Sequence, residues 1–112
     1  MAVAYLNSQA QLGSYRSNSV MGASPAQLVL KSYDLALAAL RAEDGPWACK
    51  VLAQLIESLD FRYQEVALGF FRLYRYCMEE IKQGRLGVPT RILRELRDTW
   101  AQAMETAEAV SH

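Results

Sequence analysis

The placement of proline constrains this chain more than any other feature. Pro25, Pro46 and Pro89 are its three prolines, and each stands at the head of a long proline-free run. Proline lacks an amide hydrogen and its ring clashes with the preceding turn, so a helix accepts it in the first turn and rejects it inside. The runs that follow are free to be helical, and their apolar periodicity says that they are. After Pro25 the apolar residues are Val29, Tyr33, Ala36, Leu37 and Leu40, with Leu28 at the edge. After Pro46 they are Ala48, Leu52, Leu55, Ile56 and Leu59, with Val51 beside them, and a third set follows at Val66, Phe70, Leu73, Tyr74, Cys77, Met78 and Ile81. After Pro89 they are Leu93, Leu96, Trp100, Ala103 and Ala107. Such spacing puts each set on one face of a helix, because a turn takes about 3.6 residues. No run alternates with the period of a strand. Four stripes with short connections predict an all-α fold, an antiparallel up-and-down four-helix bundle over residues 23–112 with a flexible N-terminal arm over residues 1–22.

The boundaries have local causes. Ser24-Pro25-Ala26-Gln27 reads as a capping box with proline at the first helical position, and the first helix ends near Arg41 to Glu43. Asp44-Gly45-Pro46 breaks the chain and opens the second helix, and Gly84 to Gly87 close the third. Between the second and third stripes no glycine or proline marks a turn, so Pro46 to Gln83 would also suit one long helix. A hairpin buries both stripes and a rod does not, so a short turn is expected near Asp60 to Tyr63. Gly69 lies inside the third helix at a cost of about 1 kcal/mol relative to alanine, which marks either a close helix approach or a kink. In the last helix Trp100 is the largest apolar side chain. Its polar face offers Arg91 to Glu95 and Arg94 to Asp98 as pairs one turn apart.

Composition narrows the function. At 112 residues the chain is one domain, able to fold without staples. Twelve basic and twelve acidic residues cancel, which gives no electrostatic footprint for nucleic acid or an anionic membrane. No apolar run approaches the roughly 20 residues of a membrane span. The opening MAVAYLNSQAQ has no basic region followed by an apolar core, which argues against a secretory signal. Cys49 and Cys77 are expected to be buried free thiols of a cytosolic protein.

Catalytic chemistry finds little to work with. His112 is the single histidine and sits at the terminus. Phosphotransfer, haem ligation and a Ser-His-Asp triad all need an imidazole held on a scaffold. The cysteines lack zinc-ligand spacing, the Glu-x-x-His motifs of di-iron bundles are absent, and no glycine-rich loop precedes a helix. Glu79-Glu80 and the arginines Arg72, Arg75, Arg91, Arg94 and Arg97 read as solvated helix surface. The expectation is a protein that is not an enzyme and carries no cofactor and no metal.

The aromatic residues say more. Tyr33, Phe70, Phe71, Tyr74, Tyr76 and Trp100 exceed what one small core needs. Phe70 and Phe71 are adjacent and lie about 100° apart on a helix, so they cannot share one contact. Either one is core and the other a singly exposed ring, or the surplus lines an apolar groove that receives a partner segment. Upstream, Tyr5, Leu6, Leu12, Tyr15, Val20 and Met21 punctuate a polar segment with no sustained period. That segment is a disordered tail or an arm that docks on the bundle, with docking favoured from Tyr15 onward.

Several blocks together resemble the flagellar export chaperone family FliS. Val20, Ala23, Ser24-Pro25 and Leu28, followed by the apolar stretch to Tyr33-Asp34 and Ala36, are similar to the family's N-terminal pattern, with Leu35 where a glycine is usual. Leu96-Arg97-Asp98-Thr99-Trp100 resembles its closing Leu-Arg-x-x-Trp helix, and Leu59-Asp60 and Leu73-Tyr74-Arg75-Tyr76 resemble positions between. Lys31-Ser32 stand where the family has Met-Leu, and the Gly84 to Pro89 connection lacks its usual Ala-Asn. The resemblance implies a chaperone of the bacterial cytosol that binds the disordered C-terminal region of flagellin. It would prevent premature polymerisation and keep the client competent for flagellar type III export, with export-apparatus components as further partners. The residues expected to meet the client are Tyr15, Val20, Met21, Leu28, Tyr33, Phe70, Phe71 and Tyr74. The arm would either cover the empty groove or clasp the bound client. No nucleic acid partner and no membrane insertion are expected, and the free protein would be a monomer or weak homodimer. The competing reading is a small helical-bundle interaction or dimerisation domain with a different client.

Overall fold

A computed structural model describes residues 24–111. They form four helices: α1 (Pro25–Arg41), α2 (Gly45–Glu57), α3 (Gln64–Lys82) and α4 (Gly87–Ser111). Each packs against the next in sequence, and α4 returns to pack on α1, so the helices form a closed antiparallel ring with α3 diagonally across from α1. The α3–α4 seam is the sparsest of the four. The expected four-helix bundle is the fold observed.

Backbone chemistry accounts for the ends. Ser24 Oγ accepts from the Gln27 amide at 3.1 Å, and the Gln27 side-chain oxygen accepts from the Ser24 amide at 2.9 Å. The two bonds satisfy donors that a helix start leaves orphaned. Asp44 caps α2 by accepting from the Trp47 amide at 3.1 Å. Helices α1 and α3 close by the same device. The amides of Asp44 and Arg85 reach back to the carbonyls of Ala39 and Glu80, and the residue before each has positive φ. In α3 that residue is Gly84. In α1 it is Glu43 at φ 54°, a position where a side chain carries strain. Helix α4 starts at Gly87, which places Pro89 within its first turn.

The turn between α2 and α3 spans residues 58–63. It contains the expected Asp60 to Tyr63 segment and is built without glycine or proline. The Asp60 carboxylate accepts from its neighbour's amide, Arg62 N–H, at 3.0 Å and from the Arg62 guanidinium at 2.6 Å. Those bonds hold the Asp60 carboxyl below its ordinary pKa.

The core lies along the ring axis. Tyr33, Leu37 and Leu40 of α1 meet Ala48, Val51, Leu52 and Leu55 of α2, Phe70, Tyr74, Cys77 and Ile81 of α3, and Leu93, Trp100, Ala103 and Ala107 of α4. Arg97 leaves this face to pair with Asp34 of α1 at 2.9 Å and with Asp98 at 3.2 Å. One of these two pairs crosses between helices, where sequence spacing had suggested pairs only within one. Cys49 and Cys77 are free thiols, and burial pushes Cys77 up to about 11. It stays protonated at neutral pH and is a poor nucleophile.

Gly69 loses one of its two readings. It is exposed, and a Cβ built on it meets nothing within 4 Å, so it marks no close approach. The close approach is at Gly45, where a Cβ would lie 3.3 Å from Ile81 Cγ2. Gly69→Ala is therefore expected to stabilise the protein by roughly 0.5–1 kcal/mol through a stiffer unfolded chain and better helix propensity. A thermal melt raised by several degrees would agree, and an unchanged or lower melting temperature would show that Gly69 serves another purpose.

Candidate functional site

The structure separates the residues singled out from sequence into three groups. Tyr33, Phe70 and Tyr74 are core. Tyr33 is 1 % exposed, and its hydroxyl shares a hydrogen bond with the Tyr74 hydroxyl at 2.5 Å. The Tyr33 ring lies 6.4 Å from both the Tyr74 and Trp100 rings, and Phe70 lies 6.0 Å from Tyr74. A buried hydroxyl costs little once bonded, so the two tyrosines sit inside as aromatic bodies with a shared polar link. In this packed state they present no surface to a partner. Leu28 and Phe71 form the second group. Leu28 is 51 % exposed on α1, and Phe71 is half-buried on α3 with the Arg75 guanidinium carbon 5.8 Å from its ring centroid. Tyr15, Val20 and Met21 form the third and lie outside the described residues.

The surface contains apolar residues that sequence reasoning had not assigned to it. Leu35 of α1 is exposed two turns after Leu28, on the same side of the helix. Trp47 opens α2 with 43 % of its surface in water. Its amide is held by Asp44, and Lys50 Nζ stands 5.7 Å from its ring centroid. The 42–44 turn brings α1 directly to it, so Leu28, Leu35 and Trp47 all stand on the adjoining pair α1 and α2. At the opposite end of α2, Phe61 and Tyr63 project from the turn that Asp60 and Arg62 stiffen, and Leu68 follows on α3. Single exposed apolar residues are ordinary on any protein. Here they recur along α1, α2 and the turn that leads into α3.

Among the described residues no cluster of His, Cys, Asp and Glu could hold a metal ion. No helix among them is long and apolar enough to cross a membrane. Beside the exposed rings stand Lys50 and Asp44 at Trp47, and the Asp60–Arg62 pair in the turn that carries Phe61 and Tyr63.

A family model described as flagellar protein FliS matches residues 7–107. No curated protein and no solved structure matches the chain. The matched span covers most of the sequence, the whole of α1, α2 and α3, and α4 past Trp100. On that match, together with the four-helix fold, the chain belongs to the flagellar protein FliS family.

Proposed function

We propose that this chain, as a flagellar export chaperone of the FliS family, binds the disordered C-terminal region of flagellin in the bacterial cytosol. It covers the client's apolar segment, prevents premature polymerisation and hands the subunit to the export apparatus. One observation supports this reading most: the exposed apolar residues Leu28, Leu35, Trp47, Phe61, Tyr63 and Leu68 are separate points on α1, α2, the α2–α3 turn and the start of α3. A globular partner prefers one continuous patch, whereas an extended chain can touch such anchors in succession as it wraps the bundle. The client contributes alternate apolar side chains, and the bundle contributes a rigid frame that orders them.

Titration of the full-length protein with a flagellin C-terminal peptide tests this. A one-to-one complex is expected. Leu28→Glu combined with Trp47→Ala should weaken it at least tenfold, about 1.4 kcal/mol, without changing the melting temperature appreciably. A stable homodimer that ignores the peptide would favour the dimerisation reading and end this one. The same titration with residues 1–17 removed separates the two roles of the arm: affinity rises if the arm covers the empty groove and falls if it clasps the client.

A further inference from the structure

The outer face of α3 carries a feature that the anchors on α1, α2 and the α2–α3 turn leave unused, although it includes Phe71, which the sequence assigned to the client. Phe71, Arg72, Arg75, Tyr76 and Glu79 line a shallow open depression of about 400 Å³. One aromatic wall is braced by a cation. Arg75 lies over Phe71, and Glu80, one turn beyond Tyr76, is gripped by Arg85 at 2.7 Å. Glu79 is drawn to Lys82 at 3.9 Å. No carboxylate among the described residues pairs with Arg72 or Arg75. Two guanidiniums one helical turn apart thus stand without an ion pair beside the exposed Tyr76 ring and the half-buried Phe71 ring. The chain as a whole is neutral, so this local excess is not a by-product of a basic composition.

Arginine and tyrosine at such a place are the residue types that dominate protein interfaces. A guanidinium recognises a carboxylate with two parallel hydrogen bonds, and it keeps its stacking on an aromatic ring while it does so. Phe71, held under Arg75, loses little freedom when a side chain lies against it. The depression is diagonal to α1, so it faces away from the Leu28–Leu35 side of the bundle. We propose that this face of α3 docks a segment of a second protein that presents an apolar side chain flanked by carboxylates, and that it does so independently of the client. The charge of the pair selects the acidic segment; Phe71 and Tyr76 supply the apolar contact.

A random peptide library displayed on phage tests the assignment, panned on the full-length protein and depleted on its Arg72→Glu/Arg75→Glu variant. The surviving peptides are expected to carry Asp or Glu within a turn of Leu, Ile, Phe or Trp. Made as free peptides, they should bind the variant at least tenfold more weakly and lose affinity as salt is raised. The flagellin C-terminal peptide should bind both proteins equally. Tyr76→Ser, which alters one exposed wall, serves as the depleting protein if the double variant melts early. A library that yields no binder dependent on this face, or binders without carboxylates, would overturn the proposal. So would a parallel tenfold loss of the flagellin peptide, which would return the face to the client. Arginine-dependent binding of phosphatidylglycerol vesicles without peptide binding would overturn it in favour of a lipid surface.

Discussion

Replacing Trp100 with alanine is expected to remove about 3–5 kcal/mol of stability, a large share of the 5–15 kcal/mol that holds a typical domain. The indole is 4 % exposed and meets Tyr33 edge-on at an interplanar angle of 73°. Its N–H donates to the Ala26 carbonyl at 2.9 Å, tying α4 to the first turn of α1. Truncation therefore opens a cavity beside Tyr33 and also deletes a bond between the first and last helices. Trp100→Phe keeps most of the volume and loses the N–H, so it should cost less, near the 0.5–1.5 kcal/mol of a typical hydrogen bond plus a smaller void. Urea unfolding of the three proteins checks the order. If Trp100→Ala unfolds within a few tenths of a kcal/mol of the parent, the indole does not contribute as its burial implies.

The second large effect separates burial from composition. Leu52→Ala should cost about 2–5 kcal/mol, while Leu35→Ala should stay within about 0.5 kcal/mol. Leu52 has no exposed surface and sits mid-way along α2, which packs on both α1 and α3. Helix α2 has only 13 residues and would be marginal in isolation, so its persistence rests on that packing. Leu35 removes the same atoms from a site already 38 % exposed. Leu35→Ala should instead register as weaker binding of the flagellin peptide. Equal losses of stability for the two variants would mean that Leu35 is covered in solution, by a second copy or by residues 1–23.

The fold was legible where the chain carries its own punctuation. Ser24-Pro25, Asp44-Gly45-Pro46 and Gly84 each do a single local job, so their types reveal the helix ends. The α2–α3 turn was harder because Asp60 makes it with a side chain, and Asp is equally common on a helix surface. Helix α4 runs to Ser111, past the Ile92 to Met104 stretch that carries the clearest stripe, since Ala103 and Ala107 continue its core face with small residues. The adjacent pair Phe70 and Phe71 divided as their angle requires, one ring in the core and one at the surface. The site was less legible. Tyr33 and Tyr74 have the amphipathic look of surface anchors, but each hydroxyl finds the other inside, and no periodicity reports a pairing between residues 41 positions apart. Leu35 escaped notice because apolar residues nearly encircle α1 from Leu28 to Leu40, which blurs its inner and outer faces. Trp47 looks like a core residue by type, and only the direction of α2 puts it outside.

The Trp100–Ala26 bond also has a bearing on synthesis. Helices α1, α2 and α3 pair with their neighbours as each leaves the ribosome, because those contacts are close in sequence. The place on α1 that Trp100 fills has no such neighbour and waits for a residue 74 positions later. Until then the nascent chain is a three-helix sheaf with one flank of α1 uncovered. Completion of the bundle, and with it a rigid frame for any bound segment, thereby waits until α4 has been made.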